Sequence, residues 1–364
     1  MLICTLPLKP IRGPVKLYLL ASAATLACML GSSAYAQGCV CQRQNAAGYA
    51  GDNSYLKAGD WLFSSIYQNF TSDRHYQGTN FIPALTSRGP TNVQNAISVS
   101  ASYAVTDRVA LTLEAPILMT SYTLNRVPPG GTTPVKDATH SSGLGDRSLR
   151  ASYWLRNPYQ AKWNIAVSMG IQAPTGAADV RDTIYGKVVP EDVSVQPGAK
   201  AWAVPIGAQG FMEFRHLAVF GSGAYLFNPR GTTGVPTFFG SLSNPNNKQV
   251  DSSTDLFLAQ GGVVAKPWRK KWPLPSLSYR ISGVPITDVF GPSNGFRRPA
   301  DVQFIEPGLS FQFGPQVVSF STGILTYVNV KPTPANPNVT DATIPKYVFN
   351  LAFSRRINGT HELR

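Results

Sequence analysis

The chain has 364 residues, of which 43% are hydrophobic, 11% aromatic and only 14% charged, with 32 Lys and Arg against 19 Asp and Glu. That charged share lies well below the ~25% usual in soluble domains, and no stretch after residue 36 approaches the roughly 18 consecutive apolar residues of a membrane helix. The formal charge of +13 is read as contact with acidic lipid head groups at a membrane rim, with an anion-preferring pore as the sharper alternative and no nucleic-acid partner.

Residues 1–36 read as a secretory signal peptide. Lys9, Arg12 and Lys16 precede an apolar run from Leu17 to Leu30, and Ala34-Tyr35-Ala36 supplies the small-x-small cleavage pattern. The run, about 14 residues, is shorter than the roughly 20 of a membrane span. Cleavage ahead of Cys28, as in a lipoprotein, fits less well because Thr25 stands where such signals usually carry Leu. Residues 37–59 follow as a periplasmic leader or partial lumen plug. Residues 60–357 form the main body, and 358–364 a polar tail.

From Trp61 onward the sequence alternates apolar and polar residues in segments of about ten to thirteen, joined in turn by a tight connection and a long polar one. The predicted strands are Trp61 to Phe70, Val93 to Val105, Arg108 to Thr120, Gly145 to Arg156, Trp163 to Thr175, Gly198 to Phe214, Leu217 to Phe227, Thr254 to Lys266, Leu274 to Pro285, Asp301 to Phe313, Val317 to Val328 and Lys346 to Arg356. The even number and the short/long rhythm predict an all-β, up-and-down antiparallel transmembrane barrel of about 12 strands. A secreted β-sandwich lacks that rhythm.

Short turns, such as Thr106-Asp107 and Arg215-His216, are assigned to the periplasmic rim. Long connections, including Gly176 to Pro197, Asn228 to Ser253 and Ile286 to Ala300, are assigned to the outside. The sixth and eighth strands carry Gly and Ala in both registers, which leaves the count open by two, and a further hairpin is expected around Val235 to Leu242. Ile97, Val99 and Tyr103 face lipid opposite Ser98, Ser100 and Ser102, and Leu111 and Leu113 face lipid opposite Thr112 and Glu114. Trp61, Tyr67, Tyr103, Trp163, Trp202, Tyr225 and Tyr327 fall near strand ends, where aromatic girdles belong.

Counting residues from the short turns sets Glu114 beside Arg150, and Arg280 beside Glu306, each on neighbouring strands and inward faces. An Arg on the lipid face at that depth would cost about 2 to 4 kcal/mol, which supports the inward assignment. The four form the candidate lumen constriction and selectivity site. The blander reading is that the pairs only satisfy one another.

No catalytic constellation is legible, and no cofactor motif or metal-ligand spacing. Of the four histidines, His75 and His140 are placed in external loops, His216 in a turn and His361 in the tail. His140-Ser141 is the sole adjacent His/Ser candidate for a membrane lipid hydrolase. Cys39 and Cys41 remain after signal cleavage and are open to a disulfide, an interchain pair or a soft metal, two ligands alone making a weak metal site.

Gly143-Leu144-Gly145-Asp146, Leu149-Arg150-Ala151-Ser152-Tyr153 and Gly170-Ile171-Gln172-Ala173-Pro174-Thr175-Gly176, with Ser102 to Val109 and Glu114-Ala115-Pro116, together resemble the outer-membrane family labelled as the MetA pathway of phenol degradation. The likeness is sharpest from Ser98 to Gly176. It implies a Gram-negative outer-membrane barrel that carries small, often aromatic or hydrophobic solutes, with no catalytic residues. Outer-membrane lipids, lipopolysaccharide and the barrel-assembly machinery are the implied surroundings. Such barrels commonly finish on an aromatic residue, whereas here Phe353 is followed by a polar tail to Arg364. A non-conducting barrel with a plugged lumen is the alternative to a channel.

Overall fold

Apolar side chains at every second position need lipid on one side of a sheet, and the polar ones between them need partners on the other; closing the sheet into a ring meets both demands. The computed structural model describes residues 55–86, 89–128, 130–243, 248–266, 273–332 and 341–358. Within these a closed antiparallel barrel of 12 strands is formed. We label them β1 (Trp61–Gln77), β2 (Thr91–Ala104), β3 (Val109–Arg126), β4 (in two pieces, Val135–Leu144 and Arg147–Trp154), β5 (Trp163–Ala173), β6 (Val204–Glu213), β7 (Leu217–Phe227), β8 (Leu256–Ala265), β9 (Leu274–Val284), β10 (Ala300–Phe313), β11 (Gln316–Val330) and β12 (Asp341–Ile357). Each pairs with its neighbour in sequence, and β1 pairs with β12 from Trp61 opposite Ile357 to Gln77 opposite Asp341, which closes the ring.

The predicted strands match these closely on the short-turn rim; on the other, several fall short, whereas the sixth, expected from Gly198, begins only at Val204 because residues 198–203 belong to the connection that precedes it. β1 runs on to Gln77, β3 to Arg126, and β12 begins at Asp341. The extensions are polar, as in Ser72-Asp73-Arg74-His75, so they lack the lipid-imposed alternation. Backbone pairing continues above the apolar band because it needs only a neighbouring strand. The first piece of β4 was expected as loop and instead pairs with β3 from Ile117 opposite Leu144 to Arg126 opposite Val135.

Burial follows the alternation. Leu113, Leu149, Leu277 and Leu351 are exposed on the outer face, while Glu114, Ser278, Arg280 and Asn350 are buried inside. In β6 and β8 the Gly and Ala positions interrupt the pattern without reversing it: Phe211, Leu258 and Val264 point in, Met212 and Val263 out. At the short-turn end Tyr55, the first described residue, packs with Phe211 and Phe220 inside the barrel. Its carbonyl accepts from Tyr159 Oη at 2.6 Å and Arg356 Nη1 at 3.3 Å. Tyr55, in the segment expected to be a leader or partial plug, thus sits in the barrel mouth. The segment expected to be a signal peptide, Cys39, Cys41, the basic segment Arg269-Lys270-Lys271 and His361 lie outside the described residues.

Candidate functional site

The lumen owes its shape to one irregularity in the wall. Between Glu114 opposite Ser148 and Ile117 opposite Leu144, β3 has two residues, Ala115-Pro116, and β4 has three, Gly145-Asp146-Arg147. Pro116 has no N–H for the ladder, and the extra residue on β4 forms a bulge there. Gly145 N donates to Pro116 O at 2.6 Å. The bulge frees the Asp146 carboxylate, whose two oxygens accept from Gly176 N at 2.7 Å and Ala199 N at 2.9 Å. Asp146 therefore clamps both ends of the connection between β5 and β6. Gly198 is required at that neck, since a Cβ there would run into the backbone of Gly176.

Beyond the neck the connection turns inward, and residues 189–199 are buried except for Ser194. The wall receives it through Gln94 Nε2 to Ser194 O (2.6 Å), Asn92 Nδ2 to Ser194 Oγ (3.2 Å) and the Thr139 hydroxyl to Glu191 Oε2 (2.6 Å). Its outer part is a small hairpin, Arg181–Ile184 with Lys187–Pro190, turning at Tyr185-Gly186, both with positive φ. Ile184, Val189 and Val195 join Tyr122 and Leu124 of β3 and Phe238 and Leu242 of another connection in one apolar cluster.

Three long connections are knitted together in this way. Asp192 holds Arg298 through two contacts of 2.9 Å, Arg297 holds Asp288 at 2.8 and 2.6 Å, and Ser253 Oγ donates to Ala199 O at 2.8 Å. The expectation of external loops thus needs correction for Gly176 to Pro197 and for large parts of Asn228 to Ser253 and Ile286 to Ala300, which fold in over the lumen. The hairpin expected near Val235 to Leu242 is strand Gly231–Pro236 paired with Val250–Ser253, with a short helix, Phe238–Ser243, between them.

Electrostatics in this assembly follow burial and partner. Burial pushes the Asp192 carboxyl up, but the Arg298 guanidinium outweighs it and leaves the group below its ordinary value. Burial raises Asp251 to about 8, assisted by the Asp192 charge. Burial likewise raises Glu191 to about 7, with the charges of Asp182 and Asp192 adding to it.

Both pairs expected from the residue count are formed. Arg150 Nη2 lies 3.7 Å from Glu114 Oε2, and Arg280 Nε 3.0 Å from Glu306 Oε1. Each reaches along a diagonal of the ladder, since Arg150 stands opposite Thr112 and Arg280 opposite Phe304. Glu306 also accepts from Gln260 Nε2 at 2.9 Å, and the Arg280 guanidinium lies 4.7 Å from the Phe304 ring centre.

His75 and His140 are corrections as well. Both stand on strands, His75 buried within β1 and His140 in the first piece of β4. Consecutive strand residues face opposite ways. The His140 side chain is 70% exposed and Ser141 only 4%, so their adjacency makes no dyad.

Between the inward connections and the wall lies a cavity of about 120 Å³. Phe70, Asn92, Gln94 and Ile344 line it from the barrel, and Val193, Ser194, Phe239, Arg297 and Arg298 from the connections. None of Glu114, Arg150, Arg280 and Glu306 is among its lining residues. The sequence reading missed this site. Its one visible signal was Asp146 in the Gly145-Asp146 step, an acid placed where β4 opens.

No protein-family model and no curated protein matches the sequence. Among solved structures, an outer membrane channel from Pseudomonas putida F1 superposes with a TM-score of 0.53 at 15% identity, over 87% of this chain and 100% of that one. The toluene transporter TbuX from Ralstonia pickettii superposes with a TM-score of 0.41 at 11% identity, over 83% of this chain and 90% of that one. A Pseudomonas aeruginosa FadL homologue gives 0.36 at 10% identity, over 89% and 99%. The first likeness is one of fold, a closed antiparallel β-barrel.

Proposed function

We propose that the chain is a channel in the outer membrane of a Gram-negative bacterium, passing small solutes by diffusion or selective uptake, with the inward connections narrowing its long-loop half. The supporting observation is a solute-sized cavity shared between the barrel wall and those connections. An outer face carrying Leu113, Leu149, Leu277 and Leu351 suits lipid, which supports surroundings of outer-membrane lipids and lipopolysaccharide and insertion by the barrel-assembly machinery as part of the proposal.

On this reading Arg150, whose side chain is 30% exposed, meets passing solutes together with Glu114 and biases the lumen by charge. Arg280 and Glu306 hold the wall. Aromatic, hydrophobic and anionic solutes are the candidates; growth of a deletion strain on each as carbon source separates them.

A non-conducting barrel is the second reading, favoured by the filling of both ends: the Tyr55 cluster at one and the knitted connections at the other. Planar-bilayer recording of folded protein decides. Discrete openings support the channel; a complete lack of them from protein that shows heat-modifiable gel migration overturns it.

A further inference from the structure

Among the described residues, three arginines, Arg126, Arg297 and Arg298, line the cavity between the barrel wall and the inward connections, and no Asp or Glu does. The three are not equivalent. The Arg297 side chain is 1% exposed and gives two contacts to Asp288, at 2.8 and 2.6 Å, and one to Ser252 Oγ at 2.6 Å. It is sealed among its partners and out of a solute's reach. Arg298 gives two contacts of 2.9 Å to Asp192, yet its side chain stays 21% exposed, and a guanidinium has five N–H groups to donate.

Arg126 stands apart from both. Tyr122 and Leu124 of β3 are buried on its inward face, and the two-residue period carries Arg126 to that same face. It is exposed, and its guanidinium lies 4.8 Å from the ring centre of Phe239, which lines the cavity from a connection. Among the described residues no salt bridge joins it to a carboxylate. Asp137, diagonal to it on the first piece of β4, instead accepts from Tyr185 N at 2.7 Å.

The lining therefore carries more positive charge than its neighbours offset. Asp288 and Asp192 answer Arg297 and Arg298 one for one, and Asp251, raised by burial to about 8, holds its proton at neutral pH. Arg126 has no such counterpart. Around it the lining is mainly apolar, as at Phe70, Val193, Val284 and Ile344. Asn92, Gln94 and Thr254 are no more than 6% exposed, too deeply buried to decide what enters.

We propose that this cavity binds a small amphiphilic carboxylate, its compact hydrocarbon body against the apolar lining and its carboxylate on the Arg126 guanidinium, with Arg298 as the second accessible cation. The inference deepens the channel reading by choosing among its candidate solutes, and rests on that reading for the solute's way in. The planar guanidinium matches a carboxylate through two parallel hydrogen bonds, and water excluded by the apolar lining strengthens them. A hydrocarbon would take the cation's water and return nothing, and an alkylammonium would be repelled. The volume of about 120 Å³, beside the ~150 Å³ that takes up benzene, limits the body to about one ring.

The test is calorimetric and ligand-observed NMR titration of the full chain, folded in detergent at neutral pH, with benzoate, benzyl alcohol, benzylamine, toluene and acetate. Benzoate is expected to bind at least about tenfold more tightly than each of the others, toluene lacking the charge and acetate the body. Arg126→Gln should weaken benzoate by about tenfold and change benzyl alcohol by no more than about twofold. Arg126→Lys, which keeps the charge without the planar fork, should fall between the two proteins. Toluene or benzylamine binding as tightly as benzoate overturns the inference, as does unchanged benzoate binding in Arg126→Gln. Vesicle-swelling assays with the same probes separate the two levels. Benzoate flux without saturable binding overturns the cavity's role and leaves the channel, whereas binding without flux overturns the channel and leaves the site.

Discussion

Arg280 and Glu306, on β9 and β10, share the geometry of Arg150 and Glu114, on β4 and β3: a diagonal reach across an antiparallel ladder from inward positions. Their surroundings differ. The first two side chains are 2% and 0% exposed, and Gln260 and the Phe304 ring close around them. In the second pair Glu114 is 4% exposed but Arg150 is 30% exposed, and the contact is longer, 3.7 Å against 3.0 Å. Burial, rather than charge pattern, separates a sealed pair from one whose arginine is open to water.

The contrast is broken most directly by removing one partner of the sealed pair. Arg280→Ala or Glu306→Ala leaves an uncompensated charge away from water, and urea unfolding in lipid vesicles should show a loss of about 3 to 5 kcal/mol. Arg280→Met with Glu306→Leu removes both charges and should lose far less, because packed apolar groups replace an ion pair at little net cost. Unfolding midpoints for the single variants equal to that of the unaltered protein would show the pair to be no tie in the wall. The outer face supplies the complementary test. Leu113→Arg sets a guanidinium one residue from Glu114 but on the lipid side, where it cannot reach the carboxylate. A loss of about 2 to 4 kcal/mol is expected, and none if that face meets water.

Glu191 shows what burial does to a carboxylate held by the Thr139 hydroxyl, at 2.6 Å, where Glu306 has a guanidinium. Burial raises it to about 7, above its unfolded value, so its contribution to stability is complete below the ordinary carboxylate pKa and is lost as pH rises through about 7. Amide exchange in residues 176–203 is therefore expected to quicken as pH climbs from the ordinary carboxylate range to about 7 and to level off above it, beyond the intrinsic pH effect. Glu191→Gln keeps an acceptor for Thr139 and should flatten that extra dependence. Asp251, raised by burial to about 8 on a neighbouring connection, titrates in both proteins, so the difference between them reports Glu191 alone. An identical pH dependence in both would remove Glu191 from the account.

The barrel was legible because lipid punishes every misplaced polar side chain, which writes the strands into the sequence residue by residue. The charge pairs were legible because tight turns such as Thr106-Asp107 fix the register, and counting from them places Glu114 and Arg150 within reach. The inward connections were not. A polar lumen accepts the same Gly, Pro, Asn and Thr that water does, so composition carries no sign of which way a connection turns. The contacts that decide it, Asp192 with Arg298, span 106 residues, and only Asp146 stood close to a recognisable motif.

Arg150→Ala is the mildest change and the one that reads function rather than stability. Water already reaches this side chain, so truncation should cost no more than about 1 kcal/mol. Its consequence is electrostatic: the guanidinium 3.7 Å from Glu114 is removed, and the lumen at that point becomes more negative. Reversal potentials in a salt gradient should then shift toward cation preference, and Glu114→Gln should shift them the other way. Opposite shifts from two residues 3.7 Å apart would show that permeating ions pass this pair. Shifts from Arg280→Gln of the same size, in protein that remains folded, would mean that the sealed pair also faces the path and that the distinction between the two regions does not hold.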